Sequence, residues 1–220
     1  MKKSNPIKVL VVDFGSQTSQ LIIRRVREAG IYCEMVHYSQ IQLSIKKNNP
    51  QALILSGGPS SSFEVKSPRV NKKIFSMGIP ILGICYGMQI ICEILGGKVQ
   101  NTNRREFGKS EIKVLKKNLL LKGIGKNKKK NQVWMSHGDE VIKLPKNFIR
   151  LAKTENNDIA AIERREDKIY GLQFHPEVIH TVQGQIIIEN FLFKIAKLSP
   201  DWKIQSFLQN QILEIKKKVK

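Results

Sequence analysis

Residues 79–97 read IPILGICYGMQIICEILGG and contain the feature that decides the fold. The stretch Ile79 to Ile84 is continuously apolar and predicts a buried strand, whereas Tyr86 to Leu95 predicts an apolar helix. Cys85 stands between them, inside the sequence Gly83-Ile84-Cys85-Tyr86-Gly87. A nucleophile between two glycines, at a sharp turn from strand to helix, is typical of a nucleophile elbow.

The glycines and the helix of such an elbow have physical roles. The central residue has a strained backbone, so its neighbours must be small for the turn to close. The turn places the thiol at the carboxyl edge of the sheet, where α/β proteins bind ligands. The N-terminus of the following helix favours the thiolate, which is the nucleophilic form. Taken alone, the motif also fits a small buried core residue at Cys85.

Strands and helices alternate upstream of the elbow. Since these strands are continuously apolar, the pattern predicts a parallel sheet covered by helices on both faces. The predicted strands are Lys8 to Asp13, Tyr32 to His37 and Ala52 to Leu55, and the predicted helices are Gln17 to Ala29 and Pro68 to Met77.

Strands predominate after Gly97. This change predicts an antiparallel extension of the sheet and a small antiparallel side sheet, so the fold class is α/β with three layers. The domains expected are a polar tail (1–7), one main domain (8–198) and a helix or linker (199–220). The predicted strands here are Glu111 to Leu115, Val133 to Met135, Ile149 to Lys153, Ile159 to Arg164 and Lys168 to Phe174, and the predicted helices are Gly184 to Leu198 and Trp202 to Val219.

A second motif, Gly171-Leu172-Gln173-Phe174-His175-Pro176-Glu177, ends an apolar strand. His175 can act as the base that deprotonates Cys85, and Glu177 can orient and polarise His175. Pro176 restricts the backbone between them. A histidine near a glutamate is by itself weak evidence, and the combination with the elbow gives it weight.

A third motif, Ser56-Gly57-Gly58-Pro59, follows the predicted third strand. Glycine lets a backbone N–H approach a ligand closely, so the N–H groups of Gly58 and Tyr86 are candidates for an oxyanion hole. The alternative is a pyrophosphate-binding loop. That loop needs an aspartate two residues after the second glycine, where this chain has Ser60.

Composition excludes some classes of protein. The 220 residues are 41% apolar, enough for one buried domain, and they contain no run of about 18 apolar residues that would span a membrane. Met1 to Pro6 lacks the apolar segment of a secretory signal. Three cysteines at these spacings indicate neither a disulfide framework nor a metal site, so a reducing, cytoplasmic location is expected.

The formal net charge of +20 is unusual and has two interpretations. Strong positive charge can indicate a polyanionic partner, either nucleic acid, an acidic protein surface or a phosphorylated substrate. The lysine-rich stretches Lys126 to Lys130 and Lys216 to Lys220 contain no interleaved aromatic residues. Richness in Ile, Lys and Asn fits an AT-rich genome, so drift in composition is preferred and nucleic-acid binding is not expected.

Together these motifs resemble those of class I (triad) glutamine amidotransferases, and most closely the glutaminase domains of the GMP synthase family. The resemblance runs from about Lys8 to Leu198 and implies a flavodoxin-like fold. It departs from the family at Thr18, Ser19 and Arg104, where Tyr, Thr and Glu are more frequent. The stretches that match the family are Asp13-Phe14-Gly15-Ser16-Gln17, the elbow with Tyr86, Arg105-Glu106-Phe107-Gly108, Trp134-Met135-Ser136-His137-Gly138-Asp139, and His175-Pro176-Glu177-Val178 with His180-Thr181.

The resemblance implies roles for individual residues. Cys85 would be the nucleophile, His175 the base and Glu177 the third member of the triad, with Gly58 and Tyr86 forming the oxyanion hole. Residues implied to bind glutamine are Gln89, Ser136, His137, Gly138 and Asp139.

The implied reaction releases ammonia from glutamine through a γ-glutamyl thioester. The resemblance implies no cofactor or metal in this domain. It implies ATP and Mg²⁺ in a partner ATP pyrophosphatase domain, which uses the ammonia to aminate XMP and whose loop motif these residues lack. Slow hydrolysis by the isolated chain is expected. Alternatives are a glutaminase for anthranilate, aminodeoxychorismate or carbamoyl phosphate synthesis, a non-catalytic binding module, and a cysteine peptidase.

Overall fold

The computed structural model describes residues 6–124 and 131–203, together with residues 212 and 216, without the side chains of residues 102–104. Most of the predicted tail (1–7), the stretch Lys126 to Lys130 and most of the predicted helix Trp202 to Val219 lie outside this description. Short 3-10 helices cover Tyr38–Gln40 and Lys72–Ser76, and a π-helix covers Asn190–Ile195. The strands are β1 (Val9–Asp13), β2 (Cys33–His37), β3 (Ala52–Leu55), β4 (Ile81–Ile84), β5 (Lys98–Glu111), β6 (Lys113–Val114), β7 (Gln132–Lys143), β8 (Ile149–Lys153), β9 (Ala161–Arg164) and β10 (Ile169–Leu172), and the α-helices are α1 (Ser19–Glu28), α2 (Ile41–Asn48), α3 (Tyr86–Ile94) and α4 (Gly184–Glu189).

An eight-stranded sheet forms the centre of the protein, in the order β2-β1-β3-β4-β10-β9-β8-β6. The pairs from β2 to β10 are parallel, and the pairs from β10 to β6 are antiparallel. The predicted parallel sheet with an antiparallel extension is therefore confirmed. Strands β4 and β10 are neighbours, with Leu172 opposite Ile84, so the chain leaves both strands at the same level of the carboxyl edge.

Helices cover both faces of the sheet, which confirms the three-layer prediction. On one face, Ile22 and Val26 of α1 and Ile187 of α4 belong to the same buried cluster as Val11 of β1. On the other face, the buried residues of α2 and α3 pack with Leu53 of β3 in a second cluster. Burial of both faces explains why these strands are continuously apolar.

The predicted side sheet is a two-stranded antiparallel ribbon of β5 and β7. Val133 and Met135 of β7 belong to the cluster that contains α1 and α4. Val99 of β5 and Val141 of β7 belong to the cluster that contains α3. The β5–β7 ribbon therefore joins the two faces of the main sheet, and its central part passes close to the elbow.

The sequence predictions were wrong for several elements. The strand β5 begins at Lys98, far before the predicted Glu111. Its residues are mostly polar and show no apolar alternation, so the sequence gives no strand pattern, and the strand forms by pairing with β7. Helix α2 was not predicted. The predicted helix Pro68 to Met77 contains only a 3-10 helix, and Gly184 to Leu198 divides into α4 and a π-helix. No helix in the described part of the chain is long and apolar enough to cross a membrane.

Candidate active site

The predicted strand–turn–helix is present around Cys85. This residue lies between β4 and α3 with φ 52° and ψ −107°, a backbone conformation that is strained for a residue with a side chain. Its N–H donates to the carbonyl oxygen of Leu172 over 2.7 Å, which fixes the turn to β10. The Cys85 side chain is 6% exposed at the carboxyl edge of the sheet.

His175 and Glu177 follow β10, the strand beside β4, and therefore lie next to the elbow. The His175 Nδ1 atom is 2.7 Å from Glu177 Oε1, and both side chains are buried. The imidazole also interacts with the side chain of Cys85. The structure thus brings together the three side chains that the sequence predicts as a triad.

The surroundings of His175 favour its protonated form. Burial lowers its pKa, but the hydrogen bonds and charges of Cys85 and Glu177 outweigh burial and raise the pKa to about 10. His175 is therefore an imidazolium at neutral pH. The imidazolium lies beside the sulfur of Cys85 and can supply a proton to a leaving group.

The Glu177 carboxylate has a second partner that sequence reasoning missed. The hydroxyl of Thr18 donates to Glu177 Oε1 over 2.7 Å, from the loop that precedes α1. Glu177 is 1% exposed, and its Oε2 has no hydrogen-bond partner within the described residues. A threonine placed 159 residues before the glutamate gives no sequence signal for this contact.

The predicted oxyanion-hole residues lie beside the elbow. A Cβ atom added to Gly58 would be 3.1 Å from the carbonyl oxygen of Phe14 and 3.2 Å from the ring of Tyr86, so a glycine fits there best. The N–H of Gly87 donates to Ser56 O over 3.0 Å, which ties the first turn of α3 to the loop after β3. The role of Gly58 and Tyr86 in binding an oxyanion stays a prediction.

A chain of side-chain amides connects the sulfur to the β5–β7 ribbon. Gln173 Nε2 donates to Cys85 Sγ over 3.7 Å, and Gln89 Nε2 lies 3.4 Å from Gln173 Oε1. Gln89 Nε2 also donates to the carbonyl oxygen of Asp139 over 2.9 Å. Gln173 had no predicted role, although period-two spacing puts it on the same side of an extended chain as His175.

The four residues predicted from the ribbon, Ser136 to Asp139, have different environments. The carbonyl oxygen of Ser136 is 3.8 Å from Cys85 Sγ. Gly138 is half-buried, and the Asp139 carboxylate accepts a hydrogen bond from Asn101 over 2.8 Å. A role for these residues in binding glutamine stays a prediction. Among them, the backbone of Ser136 is the part that contacts Cys85.

The side chain of His137 is buried in a separate polar cluster. Its Nε2 is 3.6 Å from Glu106 Oε2, and Glu106 also accepts hydrogen bonds from Ser110 and Thr154. Burial opposes ionisation of Glu106, but these hydrogen bonds outweigh burial and lower its pKa below the ordinary value. The His137 imidazole is thus engaged within the ribbon.

The described residues contain no group of three or more His, Cys, Asp or Glu side chains that could hold a metal ion. The three cysteines are free and buried. Burial raises the pKa of Cys33 to about 12 and also raises the pKa of Cys92. Of the three thiols, that of Cys85 is the one beside a histidine.

Comparison with known proteins identifies the family of this chain. The sequence profile of the family described as glutamine amidotransferase class-I matches residues 10–195. The chain therefore belongs to the class I glutamine amidotransferases. The matched range lies within the predicted domain of residues 8–198.

Within this class, the similar curated relatives are GMP synthases. The chain is 49% identical over 99% of its length to the glutamine-hydrolysing GMP synthase of Brachyspira hyodysenteriae, covering 42% of that relative. It is 52% identical over 95% of its length to that of Caldicellulosiruptor saccharolyticus, covering 40%. The chain thus spans about two fifths of the length of these relatives.

A solved structure of similar size also matches. It comes from Thermoplasma acidophilum and is provisionally described as one subunit of a GMP synthase. The match has a TM-score of 0.73 and 28% identity, and it covers 95% of this chain and 99% of the other.

Proposed function

We propose that this chain is the glutaminase component of a GMP synthase. It hydrolyses glutamine to glutamate and ammonia, and the ammonia is used to aminate XMP. The observation that carries the proposal is the placement of Cys85 and of the His175–Glu177 pair on neighbouring strands, with 2.7 Å between His175 Nδ1 and Glu177 Oε1. The similarity to GMP synthases supports the choice of acceptor.

The proposed reaction begins with attack of the Cys85 thiolate on the side-chain amide carbon of glutamine. The N–H groups of Gly58 and Tyr86 stabilise the negative oxygen of the tetrahedral intermediate. His175 donates its proton to the amide nitrogen, and the C–N bond breaks to release ammonia and leave a γ-glutamyl thioester. His175 then takes a proton from water as the water oxygen attacks the thioester carbon. The C–S bond breaks, which releases glutamate and regenerates the Cys85 thiolate.

The glutamine pocket is proposed to form between Gln89 and the β5–β7 ribbon. Gln89 is linked to the sulfur of Cys85 through Gln173, and the carbonyl oxygen of Ser136 lies 3.8 Å from that sulfur. Ser136, His137, Gly138 and Asp139 would bind the substrate mainly through backbone groups, since the His137 side chain is buried beside Glu106 and the Asp139 carboxylate accepts from Asn101.

The acceptor reaction is proposed to occur in an ATP pyrophosphatase domain or subunit that binds ATP and Mg²⁺. The existence of such a partner is supported by the relatives, which are more than twice as long as the region that matches this chain. We propose the cytoplasm as the location, where the three thiols would stay reduced.

Measuring glutamate released from glutamine tests the glutaminase proposal. We expect measurable release by the chain and loss of at least about 10³-fold in the variant C85A, because no other group can form the thioester. The control is the variant C33A, which removes a buried thiol remote from the site. Equal rates for the chain and C85A would refute the proposal.

Labelling with a glutamine-like diazo ketone provides an independent measurement. We expect modification at Cys85 and none at Cys33 or Cys92, whose burial raises their thiol pKa values. Mass spectrometry of peptides locates the label. A non-catalytic binding module would not react, and a peptidase site would not be selected by this compound.

Identification of the acceptor needs a reconstituted reaction. We expect glutamine-dependent formation of GMP when the chain is combined with an ATP pyrophosphatase domain of a GMP synthase, XMP, ATP and Mg²⁺. We also expect glutamine hydrolysis to accelerate in that mixture. Glutamine hydrolysis without GMP formation would favour another acceptor, such as those of anthranilate, aminodeoxychorismate or carbamoyl phosphate synthesis.

A further inference from the structure

Thr18, at the N-terminal boundary of α1, touches the catalytic site through one hydrogen bond. Its hydroxyl is 2.7 Å from Glu177 Oε1, the same oxygen that lies 2.7 Å from His175 Nδ1. Position 18 is one of those where this chain departs from the family pattern, which more often has tyrosine. The contact therefore cannot be transferred from the family and must be argued from this structure.

The direction of the hydrogen bonds around Thr18 follows from chemistry. A carboxylate accepts only, so the hydroxyl proton of Thr18 points to Glu177. Ser16 Oγ, 2.9 Å from Thr18 Oγ1, must then be the donor in that contact. Asp13 Oδ1 accepts from the N–H of Ser16 over 3.3 Å and so holds this loop to the end of β1. The hydrogen bond from Ser16 thus orients the Thr18 hydroxyl toward Glu177.

The Glu177 carboxylate has few other restraints. Within the described part of the chain, the side chains that hydrogen-bond it are His175 and Thr18, both at Oε1, and Oε2 has none. The residue is 1% exposed, so water has little access to replace a lost partner. Without the Thr18 hydroxyl, the carboxylate can rotate or move away from His175 to satisfy its two oxygens.

We infer that Thr18 is a positioning residue of this site. Its hydroxyl holds the Glu177 carboxylate in the orientation in which Oε1 meets His175 Nδ1, and this keeps the imidazole directed at Cys85. The expected effect of Thr18 on the rate rests on the proposed glutaminase function. The expected effect of Thr18 on the position and pKa of His175 rests on the hydrogen bonds alone.

The experiment compares the isosteric variant T18V, which lacks the hydroxyl, with T18S, which keeps it. We expect T18V to reduce kcat for glutamine hydrolysis about tenfold, in line with loss of a hydrogen bond to a charged group, and to leave KM within about twofold. T18S should keep at least about half of the wild-type kcat. Equal losses in both variants, or no loss in T18V, would overturn the inference.

The pH dependence separates positioning from a general loss of structure. Glu177 raises the pKa of His175, so weaker contact with Glu177 must lower that pKa. In a plot of kcat against pH, we expect the decrease at alkaline pH to occur at lower pH in T18V and to stay in place in T18S. A reduced kcat with an unchanged alkaline decrease would indicate a merely structural effect and contradict the inference.

Titration of His175 by NMR keeps the inference testable apart from activity. A lower His175 pKa in folded T18V than in the wild type and T18S would support positioning even if the wild type hydrolysed no glutamine, in which case the proposed function alone would fail. An unchanged His175 pKa in T18V would refute the inference whatever the activity.

Discussion

Gly87 stands two residues after the candidate nucleophile, at the point where α3 crosses the end of β3. A Cβ atom built on this residue would lie 2.4 Å from the carbonyl oxygen of Leu55. Such a contact cannot be relieved by a side-chain rotation, because the neighbouring atom belongs to the backbone of a central strand. The elbow therefore depends on glycine for packing as well as for its turn.

This contact makes a stability prediction at Gly87. We expect G87A to lower the free energy of unfolding by about 3 kcal/mol or more, because the strand and the helix must separate. Urea unfolding measures the loss. The matched control is G138A, whose Cβ would meet its nearest atom at 3.7 Å and should change stability by less than about 1 kcal/mol. Equal stability of G87A and the wild type would contradict the packing argument.

The protonation of His175 can be predicted from its two partners. Because burial lowers the His175 pKa while Cys85 and Glu177 raise it to about 10, removing Cys85 must lower it. We expect the imidazole to stay protonated at pH 8 in the wild type and to lose its proton at a lower pH in C85A. NMR of the histidine ring carbons follows this titration, and a higher pKa in C85A would contradict the expectation.

The β5–β7 ribbon shows where a single element determines both stability and the shape of the site. Glu106 and His137 lie opposite each other in the ribbon, and both are buried. Ser136, adjacent to His137, directs its carbonyl oxygen at the sulfur of Cys85. The buried polar pair therefore lies directly beside the strand position that faces the proposed glutamine pocket.

The Glu106 cluster predicts a pH-dependent stability. Because the pKa of Glu106 is lower in the fold than its ordinary value, its carboxylate stabilises the fold above that value, and the contribution disappears as pH falls through the lowered pKa. We expect E106Q to destabilise by about 1–3 kcal/mol at pH 7 and to differ less from the wild type at pH 3.5.

Urea unfolding at both pH values checks this prediction. The control is E166Q, at an exposed turn, which should change stability by less than about 0.5 kcal/mol at pH 7. A destabilisation of E106Q that grew at pH 3.5 would show that the ionised carboxylate is not the stabilising form.

The elements that sequence predicts well are those whose own residues specify them. β4 and α3 are mostly apolar, and each contains one of the two elbow glycines, so their type and position follow from the pattern alone. β5 is polar for most of its length and exists through its pairing with β7, which sequence spacing does not reveal.

The same distinction applies to the candidate site. Cys85, His175 and Glu177 stand in local motifs and can be found from sequence. Thr18 and Gln173 contact the triad only because folding brings them to it, and no local motif marks either residue.

At the scale of the whole molecule, Asp201 and Trp202 pack near the edge of the sheet that β2 forms. The N–H of Trp202 donates to Gly30 O over 2.9 Å, and its ring lies 6.0 Å from that of Tyr32. Lys8 Nζ lies 2.6 Å from Asp201 Oδ2, at the start of β1. This segment therefore packs on the loop between α1 and β2 and is part of the folded domain up to Trp202.

Packing of Trp202 predicts a measurable contribution to stability. Trp202 is 8% exposed, so we expect W202A to lower the free energy of unfolding by about 3 kcal/mol. The control M77A removes a side chain from a residue that is 49% exposed and should cost less than about 0.5 kcal/mol. Thermal or urea unfolding measures both, and equal stability of W202A and the wild type would show that the segment is not anchored.

The neighbouring positions of β4 and β10 in the middle of the sheet have a mechanical consequence. Each strand of this pair has a hydrogen-bonded neighbour on both sides, so the pair forms a frame that the sheet restrains more than it restrains an edge strand. Thr18 and the β5–β7 ribbon are attached from outside that frame. We expect a partner domain of the proposed kind to influence the site through Thr18 or the β5–β7 ribbon, while the two central strands hold Cys85 and His175 in place.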